Sequence, residues 1–515
     1  MNFYNFFINQ FTILIPELYL FIFINILLLY GVIYNTSQYY NYPNLVKNIG
    51  YLSLQIILIT FFLIINNNFA FFLIFNKILL HSNFTSFFKL FILILSFLCF
   101  FISFNYLKNE KINTFEYHIL LLIVVLGSLF LTSANDFLTL YLSIEIISLS
   151  LYILASYKTN SSLSTEAGLK YVILGSFSSG LFLFGVSLIY GFTGTINFTD
   201  LSIIFFDDIN TYYAIILGLI FFLISFLFKL GAAPFHMWVA DIYEGIPISV
   251  TIFLTTVPKV AILNVLIRIC YSIFYHLIDY WQPLLSGSAI ISIVFITFVL
   301  VTQKKIKRFL AYSSIVHIGY LLLGISLGTT YGVQASILYL MIYMINTINI
   351  WTILISIDYI KQYNKIKYIS DLNFLYKTNP ILAFILTLSL FSMAGIPPLA
   401  GFFAKFYIFL AALENASYFL LFVGILTSII STFYYIRIIK IVYFESKQQH
   451  FYYSQLNYKN AIVLSLSTLI IVFFIFFLKF FLLLSKTITL NIFFYDYFNS
   501  FIIFKKFLIT YIINL

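Results

Sequence analysis

The chain contains few charged residues and almost no cysteine. Of its 515 residues only 9% are charged, whereas soluble domains average about 25%. Its two cysteines, Cys99 and Cys270, are far apart and form no C-x-x-C motif, which argues against an iron–sulfur cluster. No G-x-G-x-x-G follows a predicted strand, and no P-loop is present. We therefore expect this chain to bind no redox cofactor, nucleotide or metal itself.

Long apolar runs occupy the chain instead. Hydrophobic residues make up 62% of it, and the mean hydropathy is +1.04. The runs are continuous rather than alternating, which favours membrane-spanning helices over a barrel. At about 20 residues per crossing, the sequence predicts an all-α polytopic membrane protein with about fourteen transmembrane helices. The predicted segments lie near 11–34, 49–65, 84–107, 115–134, 136–157, 167–192, 211–240, 247–274, 283–301, 309–329, 332–357, 379–413, 417–444 and 459–485.

The distribution of charge among the loops supports this count. Basic residues concentrate in loops after odd-numbered segments, including the run KKIKRF, which we interpret as a topology anchor. Loops after even-numbered segments carry Lys77 and are otherwise acidic. The positive-inside rule then places the odd-numbered loops on the matrix or cytoplasmic side, and both termini on the other side. Because these loops contain the basic residues behind the net charge of +10, no nucleic-acid partner is expected.

The N-terminal sequence and the aromatic composition favour synthesis inside an organelle. The stretch MNFYNFFINQFTILIPELYL has neither an Arg/Ser-rich presequence nor the basic start of a signal peptide. The chain has 64 Phe and 41 Tyr, an excess that fits the coding bias of an AT-rich genome.

Two predicted segments are interrupted by helix-breaking residues beside a lysine. FFLISFLFKLGAAPFHMW places Lys229 five residues before Pro234, and GIPPLAGFFAKF contains Lys405 beside a second break. A charge near the bilayer midplane costs at least about 2.5–3.5 kcal/mol, and a broken helix frees backbone groups that can line a wet cavity. Segments four to eight and nine to thirteen each hold five helices, the fourth one broken. Because five is odd, we expect two inverted five-helix repeats.

These patterns divide the chain into four predicted parts. They are an N-terminal three-helix region (1–110), a first antiporter-like repeat (111–275), a second repeat (280–445), and a C-terminal helix and tail (446–515). The tail from 487 is aromatic, and we expect it to lie at the membrane interface or on a neighbouring chain.

Titratable residues form a row through the apolar segments: Glu145, Lys229, Lys259, His317 and Lys405. A proton relay needs groups that change charge near neutral pH. Burial disfavours the charged form of a lysine, and a nearby carboxylate restores it. A pair of Glu145 and Lys229 would therefore act as a switch, while histidine titrates near neutrality without much perturbation.

Each candidate also has a simpler structural interpretation. In that interpretation, Glu145 and Lys229 would form a purely structural ion pair. Lys259 would extend to the membrane interface, and His317 would pack between helices. His236, which follows the first break, either joins the row or serves the loop. Outside the row, we interpret Glu166 and Lys170, at i and i+4, as a surface pair at the start of segment six.

Four stretches resemble, in order, the subunit 2 family of NADH:ubiquinone oxidoreductase, respiratory complex I, whose bacterial member is subunit N. They are FKLGAAPFHMWVADIYEGIP, FLTTVPKVAILNVLIR, KRFLAYSSIVHIGY and FSMAGIPPLAGFFAKFYIF. STEAGLKYVILGSFSSGLFLFGVSLIYGFTGTINF is also similar to the family's sixth span. The loop VADIYEGIPISV departs from the family's usual T-P-D-x-Y-E-G-x-P-T-P-V. The resemblance runs from about 130 to 440.

The resemblance implies an antiporter-like subunit that moves protons and carries no redox site. It implies that Glu145 and Lys229 are the key pair of the first half-channel and that Lys259 is the central lysine. His317 would bridge to Lys405, the terminal group. It also implies a mitochondrial inner-membrane location, with subunits 4 and 4L adjacent. NADH, FMN, iron–sulfur clusters and ubiquinone would be bound elsewhere in the complex.

Two other functions remain open at this point. One is a subunit of a multisubunit Na⁺/H⁺ antiporter, although those relatives tend to read P-F-H-x-W-L-P-x-A where this chain has VADIYEG after PFHMW. The other is a structural scaffold with silent charges, which would not need lysines beside two helix breaks.

Overall fold

The structure, a computed structural model, describes residues 3–34, 44–67, 71–110, 112, 114–207, 213–357, 367–373, 375–445 and 456–493. Regular structure in these ranges is helical, apart from one two-stranded hairpin and short 3-10 and π turns. The predicted tail is described only to residue 493, where the last helix ends, so the interpretation of 494–515 lies outside the described residues.

The elements follow one another along the chain with short connections. The N-terminal region contains α1 (Phe3–Ile33), α2 (Asn44–Asn66), β1 (Phe71–Ile74), β2 (Leu79–Ser82) and α3 (Asn83–Asn109). The next group is α4 (Glu116–Ser133), α5 (Phe137–Ala155), α6 (Ser162–Thr193), α7 (Phe198–Asp207), α8 (Tyr213–Leu230), α9 (Met237–Gly245) and α10 (Ile248–Arg268). The remainder is α11 (Ile278–Thr302), α12 (Ile306–Ser326), α13 (Thr330–Ser356), α14 (Leu375–Thr378), α15 (Pro380–Ala394), α16 (Ala400–Glu414), α17 (Tyr418–Tyr443) and α18 (Tyr458–Phe493).

Within the described residues, thirteen helices are long and apolar enough to cross a membrane. The predicted segment 379–413 corresponds to two helices, α15 and α16, of 15 residues each. Neither reaches the ~20 residues that one crossing needs. The structure therefore confirms a helical multi-pass membrane protein, whereas fourteen crossings require α15 and α16 to act together as one, which stays a prediction.

The hairpin β1–β2 is an exception to the all-α prediction. Its strands pair antiparallel with Phe71 opposite Ser82. The turn places Phe75, Asn76 and Lys77 at positive φ angles of 48°, 50° and 71° without any glycine, so the usual hairpin signal of Asn-Gly or Asp-Gly is missing from the sequence. Four-residue apolar strands also cannot be told from helix by periodicity.

The first helix break lies directly after Lys229. The helix α8 ends at Leu230, inside the predicted segment 211–240 and at its predicted break, and Gly231 follows with φ +75°, a conformation open to glycine at no steric cost. The indole Nε1 of Trp238 donates a hydrogen bond to the carbonyl of Phe228 at 2.9 Å. This carbonyl also accepts from the N–H of Gly231 at 3.0 Å, so a side chain and a backbone group beyond the helix end both bind it.

The second break repeats this arrangement between α15 and α16. Gly395 follows the first half-helix with φ +89°, and its N–H donates to the carbonyl of Phe391. The carbonyl of Ala394 accepts a hydrogen bond from Lys405 Nζ at 2.8 Å. In both breaks a left-handed glycine ends the first helix and leaves carbonyl groups facing polar side chains.

The centre of the molecule is formed by α10, α12 and α13. The apolar window of α10 is fully buried, and those of α12 and α13 are 94% buried, against 28% for α6, α17 and α18. The polar residues of α10 and α12 therefore lie far from lipid, which is where a charged side chain can be retained in a membrane protein.

Candidate functional site

Glu145 and Lys229 face the same interior region but do not form an ion pair. Lys229, on the last turn of α8, lines a cavity of about 40 Å³ together with Ser148 of α5. Ser148 Oγ donates to Glu145 Oε2 at 3.1 Å, and Glu145 Oε1 is buried without a hydrogen-bond partner. No nitrogen–oxygen contact within 4.0 Å joins the two charged groups. The structure thus shows the predicted pair in an open arrangement.

Lys259 borders the same cavity from α10. It is only 2% exposed, so it does not extend to the membrane interface. Its Nζ donates to Ser314 Oγ of α12 at 3.3 Å and lies 5.5 Å from the ring centre of Tyr243. A cavity of 40 Å³ has room for two or three waters, since one needs about 10–15 Å³. Lys229 and Lys259 are therefore separated by a space that water can fill.

His317 lies one turn after Ser314 on α12, surrounded by tyrosines. Its Nδ1 is 2.6 Å from the hydroxyl of Tyr339, and its Nε2 is 3.1 Å from the hydroxyl of Tyr435. Tyr343 stacks on the imidazole with 5.0 Å between ring centres. Both ring nitrogens have hydroxyl partners that can donate or accept, so either tautomer is accommodated.

Lys405, on α16, is the last residue of the row. Its Nζ donates to the carbonyl of Ala394 and, at 3.1 Å, to Ser431 Oγ of α17. It also lies 5.3 Å from the ring centre of Tyr320. A small cavity of about 10 Å³ is lined by both Lys405 and His317. This places the last two members of the predicted row against one shared space.

His236 is set apart from the others. It precedes α9, and its ring packs edge-on against Phe295 of α11 with 6.1 Å between ring centres. It lines neither of the two cavities. The placement favours the interpretation that His236 serves the loop.

An ionic cluster that the sequence did not reveal ties α9 to the start of α12. Glu244 forms ion pairs with both Lys305 and Arg308, and Arg308 also contacts Asp241 at 2.9 Å. Burial opposes ionisation of Glu244, but its hydrogen bonds from Lys305 and Arg308 outweigh this and lower the pKa of the carboxyl. The KKIKRF run thus holds the helix after the first break, beyond its predicted topological role.

The predicted surface pair belongs to the same cluster. Lys170 contacts Glu166 at 2.7 Å, as expected from the i, i+4 spacing, and also Asp241 at 3.2 Å. Asp241 and Glu244 are three residues apart on α9, so they share a face. That spacing places two carboxylates on one side of α9, but it does not show which basic residues they contact.

A buried ion pair lies in the N-terminal region. Lys89 Nζ of α3 is 2.5 Å from Glu17 Oε1 of α1, and their side chains are 4% and 1% exposed. Both residues fall inside predicted apolar segments, so the rule that identified Lys229 also applied to them. Within the described ranges, no three His, Cys, Asp or Glu side chains gather closely enough to hold a metal ion.

The chain is similar to known proteins along most of its length. The family described as NADH:quinone oxidoreductase/Mrp antiporter, transmembrane, matches residues 134–431. The NADH-ubiquinone oxidoreductase chain 2 of Marchantia polymorpha is 43% identical, over 90% of this chain and 95% of that protein. The NADH-quinone oxidoreductase subunit N of Paramagnetospirillum magneticum is 42% identical, over 78% of this chain and 82% of that protein.

The fold is shared as well. A chain of respiratory complex I from Thermus thermophilus superposes with a TM-score of 0.73 at 24% identity, covering 93% of this chain and 98% of that one. The sequence identities to the relatives, rather than this likeness of fold, settle the family. The chain belongs to the chain 2/subunit N family of NADH:quinone oxidoreductase and is a membrane subunit of respiratory complex I.

Proposed function

We propose that this chain moves protons across the membrane along Glu145, Lys229, Lys259, His317 and Lys405. The observation that supports this most is the position of Lys259. It borders the cavity that Lys229 also lines, and it donates to Ser314 one turn from His317. The two halves of the chain, each with its broken helix, are thereby joined by one buried polar line.

The chemistry of the row favours protons over metal cations. Hard metal cations are bound by several oxygen ligands, especially carboxylates. The row contains one carboxylate and three amines, which repel a metal cation when protonated. The Na⁺/H⁺ antiporter alternative therefore finds no sodium ligand set among these five residues. A silent scaffold is disfavoured because each intramembrane charge costs several kcal/mol.

The first step in the proposal is a switch between Glu145 and Lys229. The open arrangement leaves Glu145 Oε1 without a hydrogen-bond partner. A shift of α8 toward α5 would therefore bring the amine of Lys229 toward a free acceptor. Two opposite charges at 4 Å attract by about 4 kcal/mol at an effective dielectric near 20. Since about 1.4 kcal/mol changes an equilibrium tenfold, closing or opening the pair is enough to decide whether Lys229 keeps its proton.

The middle of the route uses groups that both donate and accept. Waters in the cavity carry a proton from Lys229 to Lys259. Lys259 then passes it to the hydroxyl of Ser314, which donates its own proton to the carbonyl of Ala311 at 2.7 Å and has to turn toward His317 for this step. His317 takes it up one turn further along α12, and the shared cavity leads to Lys405. The tyrosine hydroxyls around His317 keep the imidazole oriented throughout.

The driving event lies elsewhere in the complex. Electron transfer from NADH to ubiquinone, through FMN and iron–sulfur clusters in other subunits, alters the pairing of Glu145 with Lys229. In this proposal the chain crosses the mitochondrial inner membrane fourteen times. It comprises two inverted repeats, 111–275 and 280–445, and lies next to subunits 4 and 4L. Each broken helix would then serve one half-channel.

Proton translocation per NADH in sealed membrane vesicles tests the proposal. Lys259→Met keeps the length of the side chain but removes its charge, and we expect the ratio of protons moved to NADH oxidised to fall. Lys108→Met is the matched control, because Lys108 is exposed at the end of α3 and lines neither cavity of the row. An unchanged ratio in fully assembled Lys259→Met complexes would contradict the proposal.

A further inference from the structure

A separate cavity of about 450 Å³ lies among α13, α16 and α18. Leu338, Leu410 and Leu482 contribute to its largely apolar wall, and Lys479, Lys486 and Glu414 are the charged residues that line it. The volume falls within the range of ~300–1,000 Å³ that is typical of ligand pockets. None of these residues belongs to the proton row. An apolar wall combined with charged groups suits an amphipathic ligand.

The cavity lies near one membrane surface. The helix α18 begins at Tyr458, next to the basic loops that were assigned to the matrix side. At 1.5 Å per residue, Lys479 lies about 32 Å along this helix, just beyond a hydrocarbon core of about 30 Å. Glu414 ends α16 and Tyr331 begins α13, both at loops assigned to the same far side. The charged end of the cavity is therefore at the outer interface.

The two lysines are arranged to share one anion. They are seven residues apart on α18, so they point to the same face about 10 Å apart. Both are exposed, and among the described residues neither makes an ion pair, with Glu414 or any other carboxylate. One turn toward the bilayer centre on that face are Ile475 and Phe476, which are 48% and 78% exposed.

We propose that this cavity binds an anionic glycerophospholipid of the outer leaflet, with its phosphate between Lys479 and Lys486. The headgroup and glycerol occupy the cavity, while the acyl chains descend over Ile475 and Phe476. Two cations against one carboxylate leave a net charge of +1, which a headgroup with one net negative charge neutralises. Glu414 stands across the cavity and repels a second negative charge.

Photo-crosslinking in the intact complex tests this site. Mildly solubilised complex is incubated with photoreactive phosphatidylglycerol or, in parallel, photoreactive phosphatidylcholine, and labelled peptides are identified by mass spectrometry. We expect labelling of α16 and α18 by phosphatidylglycerol to exceed that by phosphatidylcholine at least about fivefold, the effect of one lysine near a charged lipid. The variant Lys479→Gln/Lys486→Gln is expected to lose this preference, whereas Lys108→Gln keeps it.

A second variant keeps the test decisive if the double substitution impairs assembly. Glu414→Gln removes the repulsive carboxylate, so labelling by phosphatidylglycerol should rise. Equal labelling by the two probes would overturn the selectivity for an anionic lipid. Absence of lipid label from α16 and α18 with both probes would overturn the proposal.

Discussion

Lys259 donates a hydrogen bond to Ser314 across the boundary between the two halves of the chain. The lysine belongs to α10 and the serine to α12, and both are buried. In the proposed route, this hydroxyl is the group through which the first repeat contacts the second. A serine that carries no charge would therefore have a position in that route comparable to that of the charged residues.

We expect Ser314→Ala to slow proton translocation while the complex still assembles. Alanine removes the acceptor of Lys259 and the hydroxyl before His317, and a hydrogen bond to a charged group contributes about 1.5–3 kcal/mol. The ratio of protons moved to NADH oxidised should fall in sealed vesicles. Ser326→Ala is the control, because Ser326 is also buried on α12 and donates to its own helix at Leu323, as Ser314 does at Ala311, but accepts from no lysine. Equal ratios in the two variants would rule out a role for Ser314.

Glu145→Gln tests the switch at the other end of the row. The amide cannot hold Lys229 charged, so we expect translocation to fall on the order of tenfold or more, as for loss of a positioned proton-transfer group. Stopped-flow measurement of proton uptake after a pulse of NADH follows this step. Asp279→Asn, at an exposed carboxylate outside the row, should have no effect. Normal uptake in Glu145→Gln would remove the pair from the mechanism.

The charged members of the row could be predicted from the sequence, because lysine, glutamate and histidine are rare inside apolar segments and costly there. Their hydrogen-bond partners could not. Ser314, Tyr339 and Tyr435 look like ordinary helix residues, and only the packing of α10, α12, α13 and α17 brings them to Lys259 and His317. The sequence also could not show that Glu145 and Lys229 stand open, because a distance between two helices is set by their packing.

Outside the row, too, some features could be predicted from the sequence and others could not. The helix breaks were visible as glycine and proline beside lysine, whereas the hairpin β1–β2 has no glycine in its turn and left no signal. The ionic cluster at Glu244 was missed for a different reason. Loop charges are common in membrane proteins, so KKIKRF was fully explained by topology, and nothing in the sequence indicated that it meets α9.

Glu244 should make the contact between α9 and α12 dependent on pH. Its lowered pKa means that the ionised carboxylate is stabilised in the folded protein, so the contribution is fully present above the ordinary carboxyl value of about 4.3 and is lost as the pH falls through the lowered pKa. We expect Glu244→Gln to lose about 1–2 kcal/mol of this contact at pH 7 and less at pH 3.5.

Hydrogen–deuterium exchange of Met237–Gly245, corrected for the intrinsic rate at each pH, measures that contact. Protection in Glu244→Gln should be lower than in the unmodified chain at pH 7, and this difference should be smaller at pH 3.5. Lys304→Gln is the control, because Lys304 is an exposed neighbour of Lys305 that contacts no carboxylate within the described residues. A difference of the same size at both pH values would mean that charge on Glu244 is not its cause.

The pair of Glu17 and Lys89 should stabilise the N-terminal helices without taking part in proton transfer, since neither residue lines a cavity of the row. Removing one partner leaves a buried charge uncompensated, which costs about 3–5 kcal/mol, whereas replacing both by neutral side chains is far milder. Lys89→Met should therefore reduce the amount of assembled complex, and adding Glu17→Gln should restore most of it, as measured on native gels. In whatever complex assembles, the protons moved per NADH should be normal. A reduced ratio in assembled Lys89→Met complexes, restored only by a charged residue, would instead place this pair on a second proton path that joins α1 to α3.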